Sequence, residues 1–429
     1  MINVVVKKIK FNSLHRAINT ISILIIILSF AKGFYYINNY GNCDERARLI
    51  GARTIETNKD PYFYKWQTED GAYLLDPNDQ PNRIVNGVTS TPLLLQLIAP
   101  LNKLTYTKYK LLWGVICYMA LCIIVLLTVG GLKKILLHIN WLLPVVALFL
   151  SSSVWFIHLE RGQIYICYTL LLALFYYCTI HKNKYVNTFA GFILALATFI
   201  RPTFIFLLLP ILIFKNYKVL SSFAIGAIII GVSQIKNLWV YKSYSLAMRY
   251  YTGQLNMDYS GYQQPTLPQY IEGINYITKI KADFYCGGIE PIFYHLQFLN
   301  IPHFAIISLF IITILLSGFV LFYKFAYKLQ TLNNQQLGVI LFLCYIIPEI
   351  LMAAPRGAYN LVAYIFPIIV LFTNNIKIKT LHLLILITGW LFIQAIPFYF
   401  NINYALGETM LLFTIANSIF YSRKKYLTI

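Results

Sequence analysis

WLLPVVALFLSSSVWFIHLERGQIYICYTLLLALFYYCTI, residues 141–180, consists of two apolar runs parted by Glu160, Arg161, Gly162 and Gln163. Each run has roughly the 20-residue length with which a helix crosses a bilayer. Polar and apolar residues do not alternate along them, which excludes the strands of a membrane β-barrel. A plain two-residue turn would have joined two such helices. An acid, a guanidinium and a primary amide at the boundary therefore call for a chemical reason.

The rest of the chain repeats the pattern. Of its 429 residues 59% are hydrophobic and 12% charged, against about 25% charged in soluble domains. That shortfall is too large to assign to a buried core. The sequence predicts an all-α polytopic membrane protein with about twelve spans, in a range of roughly ten to thirteen. They fall near 17–37, 110–130, 141–158, 164–181, 186–200, 203–214, 219–235, 303–323, 336–354, 358–373, 380–397 and 409–421. Residues 91–103, TPLLLQLIAPLNK, are too short and too proline-broken to span and read as an interfacial or re-entrant piece.

The net charge of +20 would serve nucleic-acid binding only if gathered on one patch with stacking aromatics. Instead the basic residues lie in short clusters between spans: Lys7 to Arg16, Lys133 with Lys134, Lys182 with Lys184, Lys215 with Lys218, Lys324 with Lys328, Lys377 with Lys379, and Arg423 to Lys425. All fit one side of the membrane, so no nucleic-acid partner is expected and both termini are placed in the cytoplasm. Residues 1–429 then form a single integral domain of the cytoplasmic membrane. Residues 38–109 are its first external loop, carrying the re-entrant piece, and 236–302 its second. The cysteines and histidines are scattered, without metal-ligand spacing. Cys43 and Cys286 alone among the thiols fall in loops, where a disulfide between them is open.

Most of the fifteen acids fall in those two loops. Glu160, Glu349 and Glu408 remain at membrane depth or its boundary, as functional candidates or as helix-end residues reaching water. Arg201-Pro202 and Arg356-Gly357 land on the same side as Glu160 to Gln163. The helices flanking Arg201 are short, which draws this cation below the surface, where it needs an anionic partner. A phosphate would match its two parallel N–H groups. A salt bridge to Glu160 or Glu349 would serve as well. Two classes fit: an enzyme acting on a lipid-phosphate substrate, and a transporter or flippase of an anionic lipid. The absence of a convincing internal repeat favours the enzyme.

CDERARLIGARTIETNKDPYFY (43–64), TSTPLLLQLIAPLNKL (89–104), ERGQIYICYTLLLALFYY (160–177) and NTFAGFILALATFIRPTFIFLLLP (187–210) together resemble glycosyltransferase family 87 in order and spacing. APRGAYNLVAYIFP (354–367) is similar to a late span of that family. The family consists of GT-C membrane glycosyltransferases and includes polyprenyl-phosphate-mannose-dependent mannosyltransferases. In its pattern an Asp follows the first span, a Pro-Tyr-like dipeptide comes next, Gly-Gln starts the fourth span and a basic residue before proline ends the fifth. Asp44, Pro61-Tyr62, Gly162-Gln163 and Arg201-Pro202 fill those positions. Two departures stand out: Ser90-Thr91-Pro92 lacks the usual aromatic, and Tyr165 stands where many members carry Asn.

The resemblance implies a GT-C fold and inverting transfer of a sugar from a polyprenyl-phosphate donor to a glycan or glycolipid hydroxyl at the outer face. Such a hydroxyl is a poor nucleophile and needs a carboxylate to take its proton. The leaving phosphate needs a guanidinium rather than a proton. No cofactor and no metal are required. On this reading Asp44 is the general base, with Glu45 as competitor, since neighbours on a helix point about 100° apart and one alone faces the substrate. Arg201, Arg356 and Gln163 bind the donor and its phosphate. Tyr62 shapes its loop. Glu160 and Arg161 pair to hold the turn, or Arg161 touches the donor. The alternative function is a polysaccharide polymerase or a lipid-linked sugar flippase.

Overall fold

The computed structural model describes residues 2–39, 43–64, 70, 72–74, 88–251, 333–351, 357–373, 380–394 and 402–421. Arg356, Cys286 and most of the second expected loop lie outside the described residues, as does the expected span at 303–323. Among the described residues every regular element is helical.

Among the described residues three helices are long and apolar enough to cross a membrane: the stretch Ser13–Asn39 of α1 (Ile2–Asn39), α4 (Tyr106–Val129) and α5 (Leu132–Leu150). Two bent pairs raise the number to five if each is one span. These are α6 (Ser153–Glu160) with α7 (Tyr165–Ile180), bent by 111°, and α10 (Tyr217–Ser233) with the helical stretch that follows it, bent by 58°. Shorter apolar helices complete the described bundle. They are α8 (Lys184–Ile200), α9 (Leu208–Ile213) led in by the 3-10 helix Pro202–Leu207, α12 (Asn334–Leu351), α13 (Ile365–Thr373) led in by the 3-10 helix Ala358–Tyr364, and α14 (Thr380–Gln394). The chain's last described helix is α15 (Ile402–Tyr421).

Several boundaries differ from the sequence reading for local reasons. The expected span 141–158 is two helices, because Ser152 takes an extended backbone and its Oγ accepts the Trp155 amide at 3.1 Å, a cap that starts α6. The preceding helix begins at Leu132, straight after Gly130 and Gly131, so Lys133 and Lys134 occupy its first turn rather than a loop. The expected span 203–214 is a 3-10 helix running into one short α-helix, too short to cross alone. The described part of the region 236–302 carries a helix, α11 (Leu238–Tyr251).

Helix α2 (Cys43–Glu56) follows the first span. Asp44 and Glu45 in its first turn and Arg53 in its last complement the helix dipole. Leu49, Ile50 and Ala52 are fully buried in it. The piece at 91–103 is α3 (Pro92–Ile98) and a 3-10 helix Ala99–Lys103; it does not span, and Leu93, Leu94 and Leu95 are buried against the neighbouring helices. Close helix packing rests on small residues, as is common between membrane helices. At the α14–α15 crossing a Cβ on Gly389 would lie 2.8 Å from the Met410 Cβ, and one on Gly407 would lie 2.7 Å from the Gly389 carbonyl oxygen.

One end of the bundle collects the polar features. Lys110 at the start of α4 donates to the Asn38 carbonyl at the end of α1 at 3.1 Å. The α6–α7 turn, the C-terminus of α8 and the start of the 3-10 helix Ala358–Tyr364 meet at the same end. The far end carries asparagine caps: Asn183 accepts the Tyr185 amide at the start of α8, and Asn216 donates to Asn187.

Candidate active site

The α6–α7 turn brings the sequence candidates together. Arg161 Nε donates to Asp44 Oδ2 at 2.7 Å, and Gln163 Nε2 donates to the same oxygen at 2.6 Å. Asp44 and Arg161 have side chains 23% and 22% exposed, so the pair is reachable yet shielded. Arg161 thus pairs with Asp44 across 117 residues. Glu45 is fully buried. The two adjacent acids of α2 do face different ways, and Asp44 is the more exposed.

The turn itself is shaped by Gly162, whose φ of 64° lies in the left-handed region. A Cβ there would collide with the Cβ and carboxylate of Glu45. The close approach that this glycine permits is therefore made to Glu45. The amides of Gly162 and Gln163 donate to Leu159 and His158 carbonyls at 3.0 and 2.9 Å. His158 Nε2 accepts the Ile166 amide at 3.2 Å and so caps the first turn of α7.

An aromatic path leads from Asp44 to the second cation. Arg161 lies over the Tyr359 ring, 5.5 Å from its centroid; Tyr359 packs on Tyr165 at 5.6 Å; and Arg201 lies 5.8 Å from the Tyr165 ring. Tyr165, the residue that departs from the family pattern, is central to this path. Arg201 is bound by Glu349: Nε donates to Oε1 at 2.8 Å and Nη2 to Oε2 at 2.5 Å, while the Thr203 hydroxyl donates to Oε1 as well. Of the two carboxylates left open for it, Glu349 is the partner. Arg356 lies outside the described residues.

Tyr62 is fully buried and donates its hydroxyl to the Ser90 carbonyl at 2.6 Å. Asp60 accepts the Tyr62 amide at 2.9 Å, which makes Asp60-Pro61-Tyr62 a capped turn. Next to it the Thr91 hydroxyl donates to the Ile200 carbonyl at 2.9 Å, tying the Ser90-Thr91-Pro92 segment to the residue before Arg201.

Other loop acids hold structure. Glu56 accepts from Tyr73 Oη at 2.8 Å and Asn102 Nδ2 at 3.1 Å, and these bonds hold its carboxyl below the ordinary value, the Asn102 amide most of all. Asp70 accepts from Lys59 and Tyr64, and its bond raises the Lys59 ammonium. Glu408 accepts the Tyr364 hydroxyl at 2.8 Å within the bundle. An apolar cleft lined by Val145, Leu148, Ile368, Phe372 and Trp390 offers no ionisable group for group transfer.

Two residues of the site gave no signal in the sequence. Arg48 donates to the Gly162 carbonyl, and Trp113 Nε1 donates to the Gln163 carbonyl at 3.2 Å. Arg48 lies within the stretch 43–64 but at no position of its pattern that the sequence singles out, and Trp113 lies in an unmarked apolar span.

The family model of glycosyltransferase family 87 matches residues 89–348. The match takes in Gly162-Gln163 and Arg201-Pro202 and begins after Asp44 and Tyr62. No curated protein matches the chain.

Proposed function

Because the chain belongs to glycosyltransferase family 87, we propose that it moves mannose or another hexose or pentose from a polyprenyl-phosphate donor to a hydroxyl of a glycan or glycolipid. The reaction inverts the anomeric carbon and takes place at the outer face of the cytoplasmic membrane. The observation that carries this reading is the Asp44 carboxylate, gripped on one oxygen by Arg161 and Gln163 at a partly exposed position beside an aromatic path.

The acceptor hydroxyl oxygen attacks the anomeric carbon while its proton passes to Asp44. The bond from that carbon to the phosphate oxygen breaks, and its electron pair leaves with the lipid phosphate. Arg161 and Gln163 orient the base, so that proton removal and attack coincide. The departing charge is met by guanidinium groups in a poorly solvated setting, where such stabilisation is strong. Arg201 and Arg356 are the cations assigned to it. Glu349 neutralises Arg201, so phosphate binding there requires Glu349 to share or yield that side chain. Tyr165 and Tyr359 supply faces for sugar or isoprenoid.

The orientation rests on charge. Lys182, Lys184, Lys215 and Lys218 flank the asparagine caps at the end opposite the α6–α7 turn, and positive-inside bias puts that end and both termini in the cytoplasm. The whole described bundle is then one GT-C-like domain.

Membranes holding the protein, supplied with radiolabelled polyprenyl-phosphate sugar, test the proposal. It expects donor consumed and one new glycoside formed. A ladder of products would show a polymerase. Donor relocated across the bilayer without consumption would show a flippase.

A further inference from the structure

We infer that Arg48 and Trp113 form a clamp that positions the Asp44 carboxylate for proton removal. The inference rests on Asp44 being the base and adds two residues, Arg48 and Trp113, to which the sequence reading assigns no role.

The turn Arg161–Gln163 has two working sides. On one, the side chains of Arg161 and Gln163 hold Asp44 Oδ2. On the other, its backbone carbonyls at Gly162 and Gln163 are taken in succession by Arg48 Nη2 and Trp113 Nε1. The guanidinium carbon of Arg48 lies 5.5 Å from the Trp113 ring centroid, so the two donors brace each other. Arg48 is 5% exposed and Trp113 7%, so neither reaches substrate. They act through the turn.

Arg48 sits one helical turn beyond Asp44 on α2. The same rigid helix therefore supplies the carboxylate and, through Arg48, the hold on the loop that grips it. The links close a circuit: Asp44 to the Arg161 and Gln163 side chains, through the turn backbone to Arg48, and back along α2. Glu45 presses on Gly162 from the same helix. A carboxylate fixed in this way has little freedom to swing. Supporting groups around a reacting centre must hold it to within about 0.5 Å, and a misplacement of about 1 Å can cost about 100-fold in rate. Burying a guanidinium to bind a neutral carbonyl is expensive for mere packing, since an apolar side chain would fill the space.

The test uses purified full-length protein in detergent with a polyprenyl-phosphate sugar, and compares Trp113→Phe, Arg48→Gln, Arg48→Lys and Asp44→Asn. Trp113→Phe keeps a ring but lacks the N–H. It should lower kcat about 10-fold, with the donor KM and the Tm near wild type. Arg48→Gln should lower kcat further, and Arg48→Lys, which keeps a charged donor, should recover part of the loss. Unchanged kcat in Trp113→Phe and Arg48→Gln, with Asp44→Asn inactive, would overturn the clamp and leave the base assignment standing. Transfer retained by Asp44→Asn would instead remove the base assignment. If Arg48→Gln fails to fold, Trp113→Phe decides alone, and a kcat loss there that only follows a falling Tm counts against the clamp.

Discussion

Removing the Arg201 guanidinium should unfold the protein more readily than removing both members of its ion pair. Glu349 is 2% exposed and Arg201 19%, so the bridge counts as buried, and it joins the C-terminus of α8 to α12 over 148 residues. Arg201→Ala removes two donors from a buried carboxylate and leaves the Thr203 hydroxyl bond to Oε1 in place. Breaking a buried pair in this way costs about 3–5 kcal/mol. Replacing both partners by apolar groups of similar volume, Arg201→Met with Glu349→Leu, should return stability to within about 1 kcal/mol of wild type. Thr203→Val removes one hydroxyl bond, for about 1 kcal/mol. Reversible unfolding in mixed micelles with rising SDS measures all of these. The reasoning fails if Arg201→Ala is within about 1 kcal/mol of wild type, or if the double variant is as unstable as the single one. Transfer assays on the double variant add a second answer. A stable but inactive protein assigns Arg201 to the donor phosphate as well as to the fold.

Gly162→Ala should reduce transfer at least about 10-fold: the left-handed φ costs an alanine about 1–2 kcal/mol, and its methyl displaces Glu45. Adding Glu45→Ala relieves the collision and should recover part of the thermal stability, with the backbone cost left over. Tyr62→Phe should destabilise by about 1 kcal/mol through the lost bond to Ser90, read by the same SDS titration. The Glu56 carboxyl is held below its ordinary value of 4.5, so the stability it contributes is fully present above pH 4.5 and is lost as pH falls through the lower folded value. Protection of the amides at residues 72–74, relative to their intrinsic exchange rate at each pH, should therefore fall below pH 4.5, and Asn102→Ala should lower it already at neutral pH.

Much of this arrangement was legible in the sequence because membrane helices announce themselves by composition. The tetrad Glu160 to Gln163 was visible as an anomaly between apolar runs, and the 100° rule separated Asp44 from Glu45 before any contact was known. What stayed hidden depended on tertiary pairing. Arg201 had two carboxylates open to it, and nothing local distinguishes Glu349 from Glu160. Arg48 and Trp113 reach the turn from 114 and 50 residues away, as an ordinary helical arginine and one aromatic among many. The break at Ser151 and Ser152 was masked because small serines barely interrupt an apolar run, although the capping hydroxyl of Ser152 decides it. The sequence places most of the acids in the two external loops without assigning them partners, and Glu56, Asp60 and Asp70 are engaged in holding the first loop's own turns.

The measurement closest to the centre of this account is single-turnover transfer by Asp44→Asn, with donor binding and thermal stability followed on the same preparation. Asparagine keeps the size of the side chain but cannot take the hydroxyl proton. The account predicts transfer reduced by at least about 100-fold, with donor still bound and the protein still folded. Transfer at the wild-type rate by that variant would contradict it.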